Sequence, residues 1–290
     1  MRKASRTARR ILKTIGYRMT RTVRRAKTPS GEREKSAEKL MKGPDVVDEG
    51  NEGVTMKRSI LCLLLVLAAA AAMAGDLAVL ENLGFSADGR YFMFGQHVLV
   101  TDAGQAYAEV ALVDVPRNDF VPGGWKKSSW NVRILPNQDS RGALYELLSE
   151  STDLKKRYGI SHLEQGRLLY ARNNGDDTMT DAAEGEEAVP ALSFRDFERG
   201  REFSMALYQE ELAEGEGPAA SFHIELTVVE PSGVEESYVV GRKGYHRDGV
   251  AAYSIVRVWA GPDGRSLVIV VAKEAADLSV RYMVETLVLN

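Results

Sequence analysis

From residue 75 onward the chain is patterned mostly with period two. Phe222-His223-Ile224-Glu225-Leu226-Thr227-Val228 alternates apolar and polar positions, as a half-buried strand does. Tyr107 to Val115, Ala251 to Trp259, Leu267 to Ala272 and Val280 to Leu289 are rich in β-formers. Turn chemistry punctuates these runs at Asp88-Gly89, Pro122-Gly123-Gly124, Pro231-Ser232-Gly233, Asp248-Gly249 and Pro262-Asp263-Gly264. Short turns between strands predict antiparallel hairpins.

One stretch has helical spacing. Leu144, Leu147, Leu148 and Leu154 recur through Ser140 to Tyr158, with Asp139 or Ser140 to cap the start. Lys155, Lys156 and Arg157 fill the last turn and Gly159 ends it; Ser149, Ser151 and Thr152 can split it in two. The expected fold is mainly β, with antiparallel hairpins and sheets, sandwich-like or propeller-like, and one helical insertion near 140–158. Asn173 to Glu187 and Glu210 to Pro218 read as solvated loops.

Upstream the pattern changes. Met56-Lys57-Arg58 is a short basic segment, Ile60 to Ala74 an uncharged and mostly apolar stretch of 15 residues, and Ala72-Met73-Ala74 a small-x-small cleavage site. That is the layout of a secretory signal peptide over 56–74, and the stretch is short of the roughly 20 residues a membrane-spanning helix needs. The expectation is a periplasmic or secreted protein, with residues 75–290 as one β-rich domain and no membrane span after cleavage. Residues 1–55 are expected to be a disordered or non-native basic extension, with translation starting at Met56. Glu52-Gly53 can be encoded by a sequence resembling a bacterial ribosome-binding site.

Charge sharpens this division. Residues 1–55 carry 15 Lys and Arg against 7 Asp and Glu, a net +8; residues 75–290 carry 21 against 34, a net −13. An acidic mature region argues against nucleic-acid binding, which neutralises phosphates with Lys and Arg. The single cysteine, Cys62, lies in the apolar stretch, so the mature chain is expected to hold no thiol, disulfide or cysteine metal site.

Two segments echo each other. Phe85-Ser86-Ala87-Asp88-Gly89-Arg90-Tyr91 and Ala260-Gly261-Pro262-Asp263-Gly264-Arg265-Ser266 each run through Asp-Gly-Arg into a strand. The pattern resembles a strand of the Tol-associated and WD-type propeller repeats. Leu83 to Tyr91, Tyr107-Ala108-Glu109, Val113-Asp114-Val115, Gly166 to Arg172 and Pro262 to Arg265 together resemble a bacterial family of predicted secreted proteins of unknown function, over most of residues 77–290. The resemblance implies an envelope or secreted location and carries over no catalytic residue; Ala87 stands where the pattern prefers Pro. The echo implies that the first hairpins and the last strands share a core.

His97, His162, His223 and His246 make no metal-binding spacing, and His223 is expected on the polar face of its strand. There is no nucleophile elbow, phosphate-binding loop or dinucleotide fingerprint. No catalytic, cofactor or metal residue is assigned. Glu109, Asp114, Asp176, Asp177 and Asp181 read as solvated carboxylates; Asn173 to Asp177 offers at most a weak calcium loop. Trp125 and Trp130, flanking Lys126-Lys127-Ser128-Ser129, are either core residues or contacts for a sugar or partner. The leading expectation is a non-enzymatic binding module for an envelope protein or cell-wall component, and the alternative is a carboxylate-dependent hydrolase of envelope carbohydrate.

Overall fold

A computed structural model describes residues 75–173, 189, 191–212 and 217–290. The proposed signal peptide, Cys62, the Met56 start, the acidic loop and the calcium-loop residues 174–177 lie outside these residues.

The described chain is mainly β, built from antiparallel sheets with two short helices. Strands β1 (Val79–Ser86), β2 (Tyr91–Val100), β3 (Gln105–Asp114) and β4 (Asp119–Asn131) form a meander, which the two-residue β5 (Ile160–Ser161) extends in the order β4-β3-β2-β1-β5. β6 (Arg167–Ala171) precedes a second meander of β7 (Ala191–Asp196), β8 (Arg201–Glu211), β9 (Ala219–Val229) and β10 (Glu235–Asp248), ordered β10-β9-β8-β7. β11 (Ala252–Ala260), β12 (Ser266–Glu274) and β13 (Val280–Val288) then form the third sheet, with β6 on its edge, ordered β13-β12-β11-β6. None of the sheets closes on itself, and three sheets are fewer than the four blades a propeller needs. The sandwich-like alternative describes the stacking.

The third sheet is the middle layer. Leu267, Ile269 and Val271 of β12 join a core with Met205, Leu207, Phe222 and Ile224 of the second sheet. Val268 and Val270 point the other way, into a core with Phe85, Phe92 and Phe94 of the first sheet and Trp259. None of these five β12 residues is more than 1% exposed. A strand covered on both faces reads as an unbroken apolar run, which is why Leu267 to Ala272 lacks alternation. β9 packs one face inward through Ile224, Leu226 and Val228, so it alternates. His223 lies on its opposite face as the alternation predicts, yet Tyr208 stacks on it at 5.0 Å and leaves it 9% exposed.

Helices α1 (Arg141–Ser149) and α2 (Thr152–Arg157) cover the outer face of the first sheet. Leu144 and Leu147 pack there on Met93, Val110 and Leu112, each burial contributing about 1.5–3 kcal/mol. The split between the helices has a local cause. The hydroxyls of Ser149, Ser151 and Thr152 donate back to the carbonyls of Glu146, Leu147 and Ser149 and compete with the helix ladder. Asp139 supplies the cap, its Oδ1 accepting the Arg141 N–H at 2.8 Å. Ser140 makes no cap bond; its hydroxyl instead meets the buried His97 Nδ1 at 2.7 Å.

Two turn expectations are corrected. Pro122-Gly123-Gly124 does not end a strand but forms a bulge inside β4, where the register slips between Ala111 and Val113. Glu210 and Glu211 still pair with Ser221 and Ala220, so the β8–β9 connection is shorter than 210–218.

The two echoing turns lie against each other. A Cβ on Gly89 would stand 2.6 Å from Asp263 Oδ1. The β7–β8 turn joins them, with Arg201 donating to the Gly264 carbonyl at 2.8 Å and Arg199 to that of Asp263 at 3.4 Å. One turn from each sheet therefore meets at this end of the stack.

Candidate functional site

A cleft of about 420 Å³ opens where strands of all three sheets approach one another. Its floor is β13, the free edge of the middle sheet. A side chain of the first sheet and one of its β3–β4 connection cover that edge. Gln96 bonds both the N–H and the carbonyl of Tyr282, and Asn118 Oδ1 accepts the Thr286 N–H at 2.7 Å. Because backbone groups of residues two apart point the same way, Val284 presents its own N–H and carbonyl to the cleft between these two caps.

The first wall comes from β3 and β4. The bulge at 121–124 brings Phe120 and Trp125 together, with ring centroids 5.9 Å apart and planes 10° from parallel. Both are about half exposed, Phe120 at 46% and Trp125 at 50%. Trp125 Nε1 donates to Glu109 Oε1 at 2.8 Å, which fixes the indole, and Lys127 Nζ lies 4.9 Å from its ring centre. Glu109 Oε2 accepts from Tyr107 at 2.8 Å and from Gln96 at 3.1 Å. Three donors hold this carboxylate. Burial, and then Glu109 itself, push the Tyr107 phenol well above its ordinary pKa, which keeps it a donor.

The second wall is basic. β10 bulges between Arg242 and Arg247, throwing out Lys243-Gly244-Tyr245-His246, with Gly244 at φ +72°. Arg247 returns to the cleft under the rings of Tyr245, Phe222 and Tyr253, at 4.9, 5.3 and 5.9 Å. Lys273 of β12 enters from the middle sheet, and burial lowers its pKa because a desolvated ammonium is disfavoured. Glu285 completes the far end. It is 6% exposed, hydrogen-bonded by the Asn118 amide, and pushed above the usual carboxylate range by burial.

Of the residues singled out in the sequence, Trp125 and Glu109 line this cleft and Trp130 does not. Trp130 packs against the core beneath the helices. Glu109 and Asp114 are not the solvated carboxylates expected. Asp114 is 7% exposed and lies 3.4 Å from Arg90. Arg242, Arg247, Lys273, Phe120 and Glu285 join the site without a motif that marks them in the sequence. The available signal was Gly241-Arg242-Lys243-Gly244-Tyr245-His246-Arg247, a cationic run within an acidic region. Among the described residues, no group of three His, Cys, Asp or Glu side chains could hold a metal ion, and no helix is long and apolar enough to cross a membrane.

Comparison with known proteins fits the residues just described. No curated protein matches the chain. The family described as "Predicted secreted protein (DUF2259)" matches residues 93–287, a span that runs from β2 to the end of β13 and includes every cleft residue named above. The chain belongs to this family of predicted secreted proteins.

Proposed function

We propose that this protein is a non-enzymatic binding module of the cell envelope, which takes a cell-wall carbohydrate in the cleft between its sheets. The reading assigns residues 56–74 to export and 75–290 to the working domain. The observation that carries it is the Phe120–Trp125 stack, held half exposed at the cleft by the Glu109 hydrogen bond. Exposed aromatic rings fixed in place offer flat apolar area to a sugar ring at little entropic cost. Below them Val284 offers one donor and one acceptor for ligand polar groups.

The test is calorimetric titration with soluble cell-wall glycan fragments. Trp125→Ala is expected to weaken binding by about tenfold, the effect of losing roughly 1.4 kcal/mol at a contact residue. Trp130→Ala is expected to leave affinity unchanged while lowering stability. Equal affinity of wild type and Trp125→Ala would remove the proposal.

A hydrolase is the second reading. The same cleft brings together Glu109, held as an acceptor by three donors, and Glu285, whose pKa burial raises. Carboxyl groups in contrasting environments are how glycosidases separate acid from base or nucleophile. Release of reducing ends from cell-wall glycan, abolished in Glu285→Gln, would favour it over simple binding.

A further inference from the structure

Resting on the carbohydrate-binding reading, we propose that the cleft selects acidic glycans, seating the ligand's anionic group on Arg247, Lys273 and Arg242. The mature region is acidic, with 21 Lys and Arg against 34 Asp and Glu, yet three cations line this one cleft. Glu109, Asp119 and Glu285 share the cleft with them, but the hydrogen bonds of these carboxylates go to other groups. Glu109 spends its oxygens on Trp125, Tyr107 and Gln96. Glu285 is engaged by Asn118, and Asp119 Oδ1 accepts the Phe120 N–H. Among the described residues, Arg242, Arg247 and Lys273 form none of the ion pairs.

Arg247 is the centre of the site. Three aromatic rings fix its guanidinium, and its Nη1 is buried with no hydrogen-bond partner. A buried donor without an acceptor is costly, and an anionic oxygen would satisfy it. Lys273 is half-buried, so a nearby anion gains more from it than from a fully solvated lysine. The cations line the same cleft as the Phe120–Trp125 stack. Ring and charge on one ligand can therefore be read at once, which describes a sugar carrying a carboxylate or phosphate.

The experiment compares an oligogalacturonide with its fully methyl-esterified form, which keeps the rings and removes the charge, and adds inorganic phosphate alone as a third titrant. The expected result is at least tenfold tighter binding of the acid form, lost in Arg247→Met and in Arg242→Gln. The second variant alters an exposed side chain and guards against misfolding of the first. Equal binding of acid and ester would overturn the anion preference while sparing the carbohydrate reading. Phosphate binding that depends on Arg247 and Arg242, with neither glycan bound, would sustain the anion site and overturn the carbohydrate reading. Failure of all three titrants would overturn both.

Discussion

The carboxamide of Gln96 stands in for a neighbouring strand at Tyr282: its Oε1 accepts the Tyr282 N–H at 2.8 Å, and its Nε2 donates to the Tyr282 carbonyl at 2.9 Å. β13 is an edge strand, and edges with free backbone groups invite pairing with other chains. Here a side chain of the first sheet closes the edge and ties two layers together.

Gln96→Ala should therefore cost about 2–3 kcal/mol, since it strands a donor and an acceptor at once. Urea denaturation measures it. A loss under 0.5 kcal/mol, the range of an ordinary surface change, would contradict the role given to this amide.

The contact between the echoing turns makes a second prediction. Gly89 has φ +71°, and an added Cβ would lie 2.6 Å from Asp263 Oδ1. Asp263 cannot easily retreat, because its carboxylate accepts from the backbones of Arg265 and Ser266 and from the Ser266 hydroxyl. Gly249 has a similar φ of +76° but nothing within 4 Å of an added Cβ. Gly89→Ala is expected to cost about 2–3 kcal/mol and Gly249→Ala about 1 kcal/mol, the difference being the clash beyond backbone strain. Thermal melts of the two variants decide it.

Ser140 and Asp139 divide the start of α1 between them. Ser140→Ala removes the hydrogen-bond partner of a histidine that is 0% exposed and whose Nε2 makes no hydrogen bond, with Glu81 Oε1 3.7 Å away, so the expected cost is about 1–3 kcal/mol. Asp139→Ala loses an exposed cap and an exposed 3.4 Å ion pair with Arg141, together worth about 1 kcal/mol. If the aspartate variant proves the less stable, the hydroxyl–imidazole contact is not what anchors the helix to β2.

Glu285 gives the fold a pH dependence of definite sign. Burial raises its folded pKa above the ordinary 4.5, while the unfolded chain titrates near that value. Between the two values the folded state holds more protons, so stability falls as pH rises through this window and stays lower above it. Glu285→Gln keeps an acceptor for Asn118 and removes the ionisation. Its melting temperature should exceed that of the wild type at neutral pH and converge with it near pH 4. A lower value at neutral pH would show that the charge is compensated.

Local pattern determined much of this protein. Period-two alternation marked β9, and dense β-formers marked β3, β11, β12 and β13. Leucine spacing placed the helices, and repeated Asp-Gly-Arg turns announced that the first and last hairpins belong together. These features are legible because they depend on neighbours within a few residues, where backbone preference and one-sided burial act. Only tertiary structure decided that β12 is buried on both faces. It also decided that Pro122-Gly123-Gly124 bends a strand rather than ending it, and that Ser140 serves a histidine 43 residues away. The cleft belongs to the second kind. Trp125, Arg247, Lys273 and Glu285 lie on four strands from three sheets, and their burial and mutual charge exist only once those sheets have stacked.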